Sequence, residues 1–409
     1  MRHGIHAHPA DLVALEAHGG LARLRDLGFS EVSLAVSDAG GRVLMPWNGS
    51  SCVRHANEGQ LWFRPRGDFG LLAPQLAPIL AEGAPSPLET FLADAADAGV
   101  CARAWLRPLR NVALAAHHPH TAVQNAFGDR DPIALCPAQP PVLEYVVWLV
   151  EDLAAHAGLD SIELEGLGFS DPRRGSIRFD SALPPDPYVD FLLSVCFCTD
   201  CADGMRRTGL DVDGLRSRVR ELIHARIATT DALTPRRTGT SEEVFRRIED
   251  DLGHASMFAL WSHRLATYVR MLKALRAAVS KRTRLALHVH VHSLFSGDAL
   301  GAPLQVVQGH ADELILSHVD ESAEAMRTTW RSDAVRGQVL RAAIAPHPPH
   351  YRSADDVYTA RAAVRDAGGA GLLIRSLGTL TWPTLERVAA VLRDGVVEPA
   401  TAARARPRR

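Results

Sequence analysis

Short apolar runs alternate with amphipathic stretches along all 409 residues of this chain. Runs over Gly4–His8, Glu31–Ser37, Val100–Arg107, Ser161–Gly168, Arg284–His292, Glu313–Asp320, Val339–Pro346 and Gly371–Ser376 have the length and period of strands. Helical spacing covers Asp11–Leu27, Pro87–Ala98, Val142–Ala157, Ala323–Arg336, Ala354–Ala367 and Thr384–Arg393. Asp160 and Asp312 punctuate strand entries, and Gly368–Gly369 suits a helix C-cap. Strands alternating with helices pair in parallel, and eight such units close a (β/α)8 TIM barrel, an α/β fold.

The longest departure follows the fourth strand. Residues 169–280 form an enlarged loop and helical insertion, in which Glu242–Val279 reads as one or two helices. The expectation is a single barrel over residues 1–398 and a disordered basic tail over 399–409. Loops at the carboxyl ends of barrel strands carry the site, so the insertion is where a substrate cleft would be built.

With 46% hydrophobic and 22% charged residues, the chain can bury a large core. A net charge of -2 gives no reason to expect nucleic acid or a membrane surface as partner. No apolar run is long enough to span a bilayer, and the N-terminus reads as a strand rather than a signal peptide, so the expected location is cytoplasmic. A homo-oligomer stays open.

Alternation sorts each strand into an interior face and a helix-facing face. In Ser161-Ile-Glu-Leu-Glu165, Ile162 and Leu164 suit the helix layer, which turns Glu163 and Glu165 inward. Likewise His288, His290 and His292, His6 and His8, Arg103, Trp105 and Arg107, His318 and Asp320, and Arg375 point to the axis. Barrel interiors are normally filled by Val, Ile and Leu. So many titratable groups converging on one end mark a site, with Glu165, His290 and His318 nearest the chemistry and Glu163 a deeper structural group. Arg103, Arg107 and Asn111 are candidates for a polar or anionic part of the substrate, although Arg107 also reads as surface-facing. Trp47, Trp105, Trp382 and Tyr351 offer stacking faces.

Cys196-Phe-Cys198-Thr-Asp-Cys201 places three thiols within six residues, and zinc takes four soft ligands in a tetrahedron. Cys136 is the best fourth ligand, since Cys101 sits within a strand and Cys52 in a distant loop. Such a closed site would brace the insertion and do no chemistry.

The segment Phe127-Gly-Asp-Arg130, Cys136-Pro137, Pro141 and Tyr145 resembles the stretch that carries the first zinc cysteine in the β-galactosidases of glycoside hydrolase family 42. The CFCTDC motif resembles the other three zinc cysteines of that family, and Glu165 stands where those enzymes carry their acid/base. The likeness covers about residues 125–205 well and the rest as barrel topology. It implies a glycoside-hydrolase-like enzyme acting on a sugar or glycoside, with structural zinc and Glu165 as general acid/base, its proton held by a raised pKa. Arg103, Trp105, Asn111, His6, His8 and Arg375 would line the substrate. Two positions depart from the family: Leu164 replaces the Asn before the acid, and the strand-seven segment Leu340-Arg-Ala-Ala-Ile-Ala-Pro-His347 lacks the nucleophile. Asp320 or Glu321 is the candidate for a displaced second carboxylate.

Two alternatives stand beside it. His6, His8, Glu165, His290 and His318 resemble the strand-end pattern of metal-dependent amidohydrolase barrels, which would put a second metal in the barrel mouth. Alternatively, a barrel that lost its nucleophile would bind a carbohydrate without catalysis.

Overall fold

The computed structural model describes the chain except residues 50–51, 68, 79, 81–82, 84, 170–179, 182–183, 232–240, 281, 290–303, 333–339 and 395–409. Eight parallel strands close a barrel: β1 Gly4–Ala7, β2 Glu31–Ala35, β3 Cys101–Leu106, β4 Ser161–Leu164, β5 Arg284–Val289, β6 Glu313–Ser317, β7 Leu340–Ile344 and β8 Gly371–Ile374. Each pairs with its neighbours in chain order, and β8 returns to β1 with Gly4 opposite Leu373. At that seam the backbones crowd: a Cβ on Gly371 would lie 1.7 Å from the Arg2 carbonyl oxygen, so only glycine fits.

All eight strands fall within the predicted runs, but most end sooner than the apolar pattern does. β4 stops at Leu164, which leaves Glu165 just past its carboxyl end. His290, His292, the tail 399–409 and the start of the expected strand at Val339 lie outside the described residues. The expected helix Asp11–Leu27 is broken into Pro9–Leu15, a 3-10 turn over Glu16–His18, and Gly20–Asp26. Gly19 and Gly20 cause the break, with left-handed φ of 98° and 62° that a right-handed helix does not hold in its interior. Two antiparallel hairpins stand outside the barrel, Gly41–Leu44 with Val53–Ala56 after β2, and Ala122–Gln124 with Arg130–Leu135 after β3.

Between β4 and β5 the described residues form helices Pro187–Ser194, Thr199–Arg206, Val212–Ala228, Ser241–Leu252 and His254–Ala278. Gly253, at φ 83°, separates the last two, so Glu242–Val279 holds two helices. Apolar packing divides accordingly. One core fills the barrel and its helix layer, and a second gathers Phe169, Tyr188, Phe191, Phe197, Met205, Ile248 and the cysteines. Helix His254–Ala278 joins them, with Met257 and Leu260 in the second core and Met271, Leu272 and Leu275 in the first. No described helix is long and apolar enough to cross a membrane.

Candidate active site

The barrel interior is polar in layers. At its amino end, Glu31 of β2, Arg103 of β3, Glu313 of β6 and Arg341 of β7 form a buried ion network. Arg103 lies 3.3 Å from Glu31 and 2.7 Å from Glu313, and Arg341 bonds Glu31 and sits 3.6 Å from Glu313. Arg103 also donates from Nε to Glu163 at 2.5 Å. Fully buried, its guanidinium is shared among three carboxylates, so it cannot hold substrate as the sequence suggested. Removing one member of such a network strands the others at about 3–5 kcal/mol.

One layer up, Glu163 is saturated. Its Oε1 accepts from Ser33 Oγ at 2.5 Å and from Arg103, and its Oε2 accepts from His6 Nε2 at 2.8 Å and His288 Nε2 at 3.2 Å. An ionised carboxylate only accepts, so both imidazoles present Nε2–H, and their buried Nδ1 atoms have no partner. Burial would push Glu163 up, but Arg103 and His6 hold it well below the usual carboxylate range; burial pushes His6 down. Ligand atoms of His6, Glu163 and His288 lie within 4.8 Å of one another, close enough for a metal. Yet Glu163 already carries four donors, one of them a guanidinium. The Glu163 carboxylate is thus fully engaged by protein donors, while the two Nδ1 atoms stay unpartnered.

The mouth sits above this layer. Glu165 keeps 12% exposure and Arg375, just past β8, 14%. Trp105 donates its indole N–H to Glu165 Oε2 at 2.8 Å, and Arg375 donates to the same oxygen. The Arg375 guanidinium lies 4.4 Å from the Trp105 ring centre and that of Arg107 5.3 Å. Arg107 is not surface-facing: its Nη2 is buried. Burial would push the Glu165 carboxyl up, but Arg375, His288 and Arg107 overcome it and hold the group well below the usual carboxylate range. That reverses the sequence expectation of a raised pKa. A resting general acid needs the proton that these cations drive off.

Other predicted members are engaged elsewhere. His8 caps helix Pro9–Leu15, accepting from Ala10 N–H at 3.0 Å, and donates from Nε2 to buried Asp38 at 3.2 Å. Asn111 caps helix Val112–His117, accepting from Leu114 N–H at 2.9 Å and donating to the Gly59 carbonyl at 3.3 Å. His318 accepts the Trp330 indole N–H on Nε2 at 3.1 Å, which leaves Nδ1–H to donate to Glu321 at 2.9 Å. These three are therefore structural, each with its polar atoms committed. Among the described residues of the amidohydrolase-like set, the histidines have separate partners: His6 meets Glu163, His8 meets Asp38 and His318 meets Glu321. Asp320 is exposed in the turn after β6. Trp47 and Trp382 pack with His18, and Tyr351 is buried. Sequence reading missed Glu31, Glu313, Arg341 and Asp38; Glu31 and Arg341 occupy inward positions that alternation reaches, but on β6 the inward side is that of Glu313 and Ile315, opposite to the His318 and Asp320 side expected to face the axis.

The thiols of Cys136, Cys196, Cys198 and Cys201 are buried together. Cys136 Sγ is 3.5 Å from Cys201, 3.6 Å from Cys198 and 3.8 Å from Cys196. A tetrahedron with ~2.3 Å metal–sulfur bonds puts sulfurs about 3.8 Å apart, whereas a disulfide needs about 2.05 Å. The donor set fits a structural metal. Gln124 N–H points at Cys196 Sγ from 3.4 Å, and Cys198 stands at the N-cap of helix Thr199–Arg206, both favourable to thiolate charge. The four cysteines tie the segment after the β3 hairpin to the segment after β4.

No family model matches the chain, and no curated protein sequence matches it. Among solved structures it is similar to the catalytic domain of beta-amylase from Paenibacillus polymyxa, at 10% identity and TM-score 0.55 over 97% of this chain and 99% of that one. The PgaB (BpsB) glycoside hydrolase domain from Bordetella bronchiseptica gives 14% and 0.56 over 96% and 99%. Alpha-L-fucosidase isoenzyme 2 from Paenibacillus thiaminolyticus gives 11% and 0.53 over 95% of this chain and 48% of that one. At such identities the likeness is one of fold: the chain is a (β/α)8 barrel like these three.

Proposed function

We propose that this barrel is a sugar-acting hydrolase whose reacting carboxylate is Glu165, with zinc on Cys136, Cys196, Cys198 and Cys201 bracing the segment that follows it. The observation that carries the reading is the placement of Glu165, at the carboxyl end of β4 in a half-dry mouth, on the Trp105 indole and Arg375. Active sites of these barrels form at that end. The family 42 resemblance of residues 125–205 and the fold of the three structural neighbours support it.

Glu165 serves as acid/base in two states. In the free protein Arg375 keeps it ionised and able to accept a proton. A ligand that draws Arg375 away removes the largest of the charges that hold Glu165 ionised, which shifts it toward the protonated carboxyl that can donate to a leaving oxygen. A four-thiolate zinc site has no open position, so its contribution is rigidity. Because β7 runs into Ala345-Pro346-His347 with no carboxylate, the two-carboxylate double displacement is not part of this proposal.

Glu165→Gln tests the reading by reducing-sugar release from a panel of glycosides and oligosaccharides. Turnover should fall by at least ~10²-fold with folding intact. A variant as active as wild type would overturn it in favour of a barrel that binds carbohydrate without cleaving it.

A further inference from the structure

Among the described residues, charges at the mouth do not cancel. Glu165 pairs with Arg375, and Glu58 pairs with Arg110 at 2.6 Å. Arg107 is left over. Its Nη2 is buried without a hydrogen-bond partner, and the charges around it are two carboxylates, Glu165 and Glu58, and two further guanidinium groups, Arg375 and Arg110, so three cations share two anions. No ion pair to a described residue neutralises it; its contact is the face of Trp105 at 5.3 Å. A buried guanidinium with no ion pair of its own is costly, and the group keeps its charge under all ordinary conditions. A protein that retains one beside a cleft presents a surplus of one positive charge to whatever enters.

We infer that the mouth is built for a saccharide carrying a single negative charge, a uronic acid or a sugar sulfate, whose oxyanion takes the place of Glu165 on Arg375 with Arg107 beside it. This deepens the sugar-hydrolase reading and rests on it. A planar carboxylate matches the guanidinium fork and can bond it twice. One surplus charge suits a monoanion better than a phosphate monoester, which carries about -1.5 to -2 at neutral pH. The exchange also takes from Glu165 the largest of the charges that keep it ionised, so the ligand's own charge would favour the protonated acid. A neutral sugar offers Arg375 no reason to leave.

Calorimetric titration of the full chain tests this with methyl glucuronide, methyl galacturonide, a sugar sulfate, glucose 6-phosphate and the neutral methyl glycosides. A monoanion should bind at least ~10-fold more tightly than its neutral counterpart, the scale of one charge-assisted hydrogen bond. The preference should shrink with added salt. Arg107→Gln should abolish it while leaving the melting temperature unchanged or higher. Equal affinity for charged and neutral sugars, no monoanion binding at millimolar concentration, tightest binding of the phosphate, or a preference that survives Arg107→Gln would each overturn the inference. Should Arg107→Gln fail to fold, the wild-type ratio of affinities decides alone. Monoanion binding without turnover would sink the hydrolase reading and leave this one standing; turnover of neutral glycosides with no charge preference would do the reverse.

Discussion

Trp105 and Arg375 both donate to Oε2 of Glu165, and no described residue hydrogen-bonds Oε1. The carboxylate is thus held by one oxygen and offers the other to a ligand. Trp105→Phe keeps an aromatic face for the two guanidinium groups and deletes one donor. A hydrogen bond to a charged group contributes about 1.5–3 kcal/mol, so chemical denaturation at neutral pH should show a loss of that order. Glu165 should also titrate at higher pH than in wild type. If stability and titration both stay put, the indole is not what fixes this carboxylate.

Asp38 provides a stability test away from the mouth. Burial alone would raise it, but His8 and Arg54 at 3.1 Å hold it down at about 2, from an ordinary 3.8. Its contribution is therefore complete above the unfolded value near 4 and fades as pH falls from about 4 to 2. The shift corresponds to about 2 kcal/mol. Asp38→Asn should lower stability at pH 7 by at least that amount and flatten the decline between pH 4 and 2. Urea denaturation across that range gives the answer, and a decline as steep as wild type would reject the assignment.

The barrel strands could be read from sequence because each is a short apolar run between helical stretches, and in some alternation survives as well: Leu287 and Val289 fill one face of β5, and Ile162 and Leu164 one face of β4. The same alternation turned Arg103 and Glu163 inward correctly. What it could not supply was depth. Arg103 and Trp105 are two residues apart on β3, yet one is shared by three buried carboxylates and the other stands at the mouth. Nor could it find the long-range partners of His8 and Asn111: each caps the helix that follows it, but Asp38 and the Gly59 carbonyl reach them from another loop. The hairpin Gly41–Leu44 with Val53–Ala56 escaped notice because its strands are half exposed and carry no apolar face.

The cysteine cluster predicts one tightly held zinc per chain by elemental analysis. Cys136→Ser or Cys198→Ser should lower the metal content and the melting temperature together, since the thiols lie within the second apolar core. His6→Ala with His288→Ala should leave the content at one, because Glu163 is already saturated by Ser33 and Arg103. A fall from two metals to one in that double variant would restore the metal-hydrolase alternative. Zinc-free wild-type protein with full stability would remove the brace.

Arg375 is the switch on which the acid/base role of Glu165 turns. In wild type the carboxyl is held below its ordinary range, so its contribution to stability is present above about pH 4.5 and is lost as pH falls toward the folded value. Arg375→Gln removes both the charge and a hydrogen bond, leaving His288 and Arg107 to oppose burial. The folded pKa must then rise, and the window in which Glu165 loses its stabilising effect moves to higher pH. Comparing Arg375→Gln with Arg375→Gln/Glu165→Gln by denaturation from pH 4 to 8 isolates that shift. For turnover the sign follows from the same argument: a general acid with a higher pKa stays protonated longer, so the alkaline limb of the rate profile should move up in pH. A profile unchanged by Arg375→Gln would mean that His288 and Arg107 suffice to ionise Glu165, and that no ligand could switch it by displacing Arg375 alone.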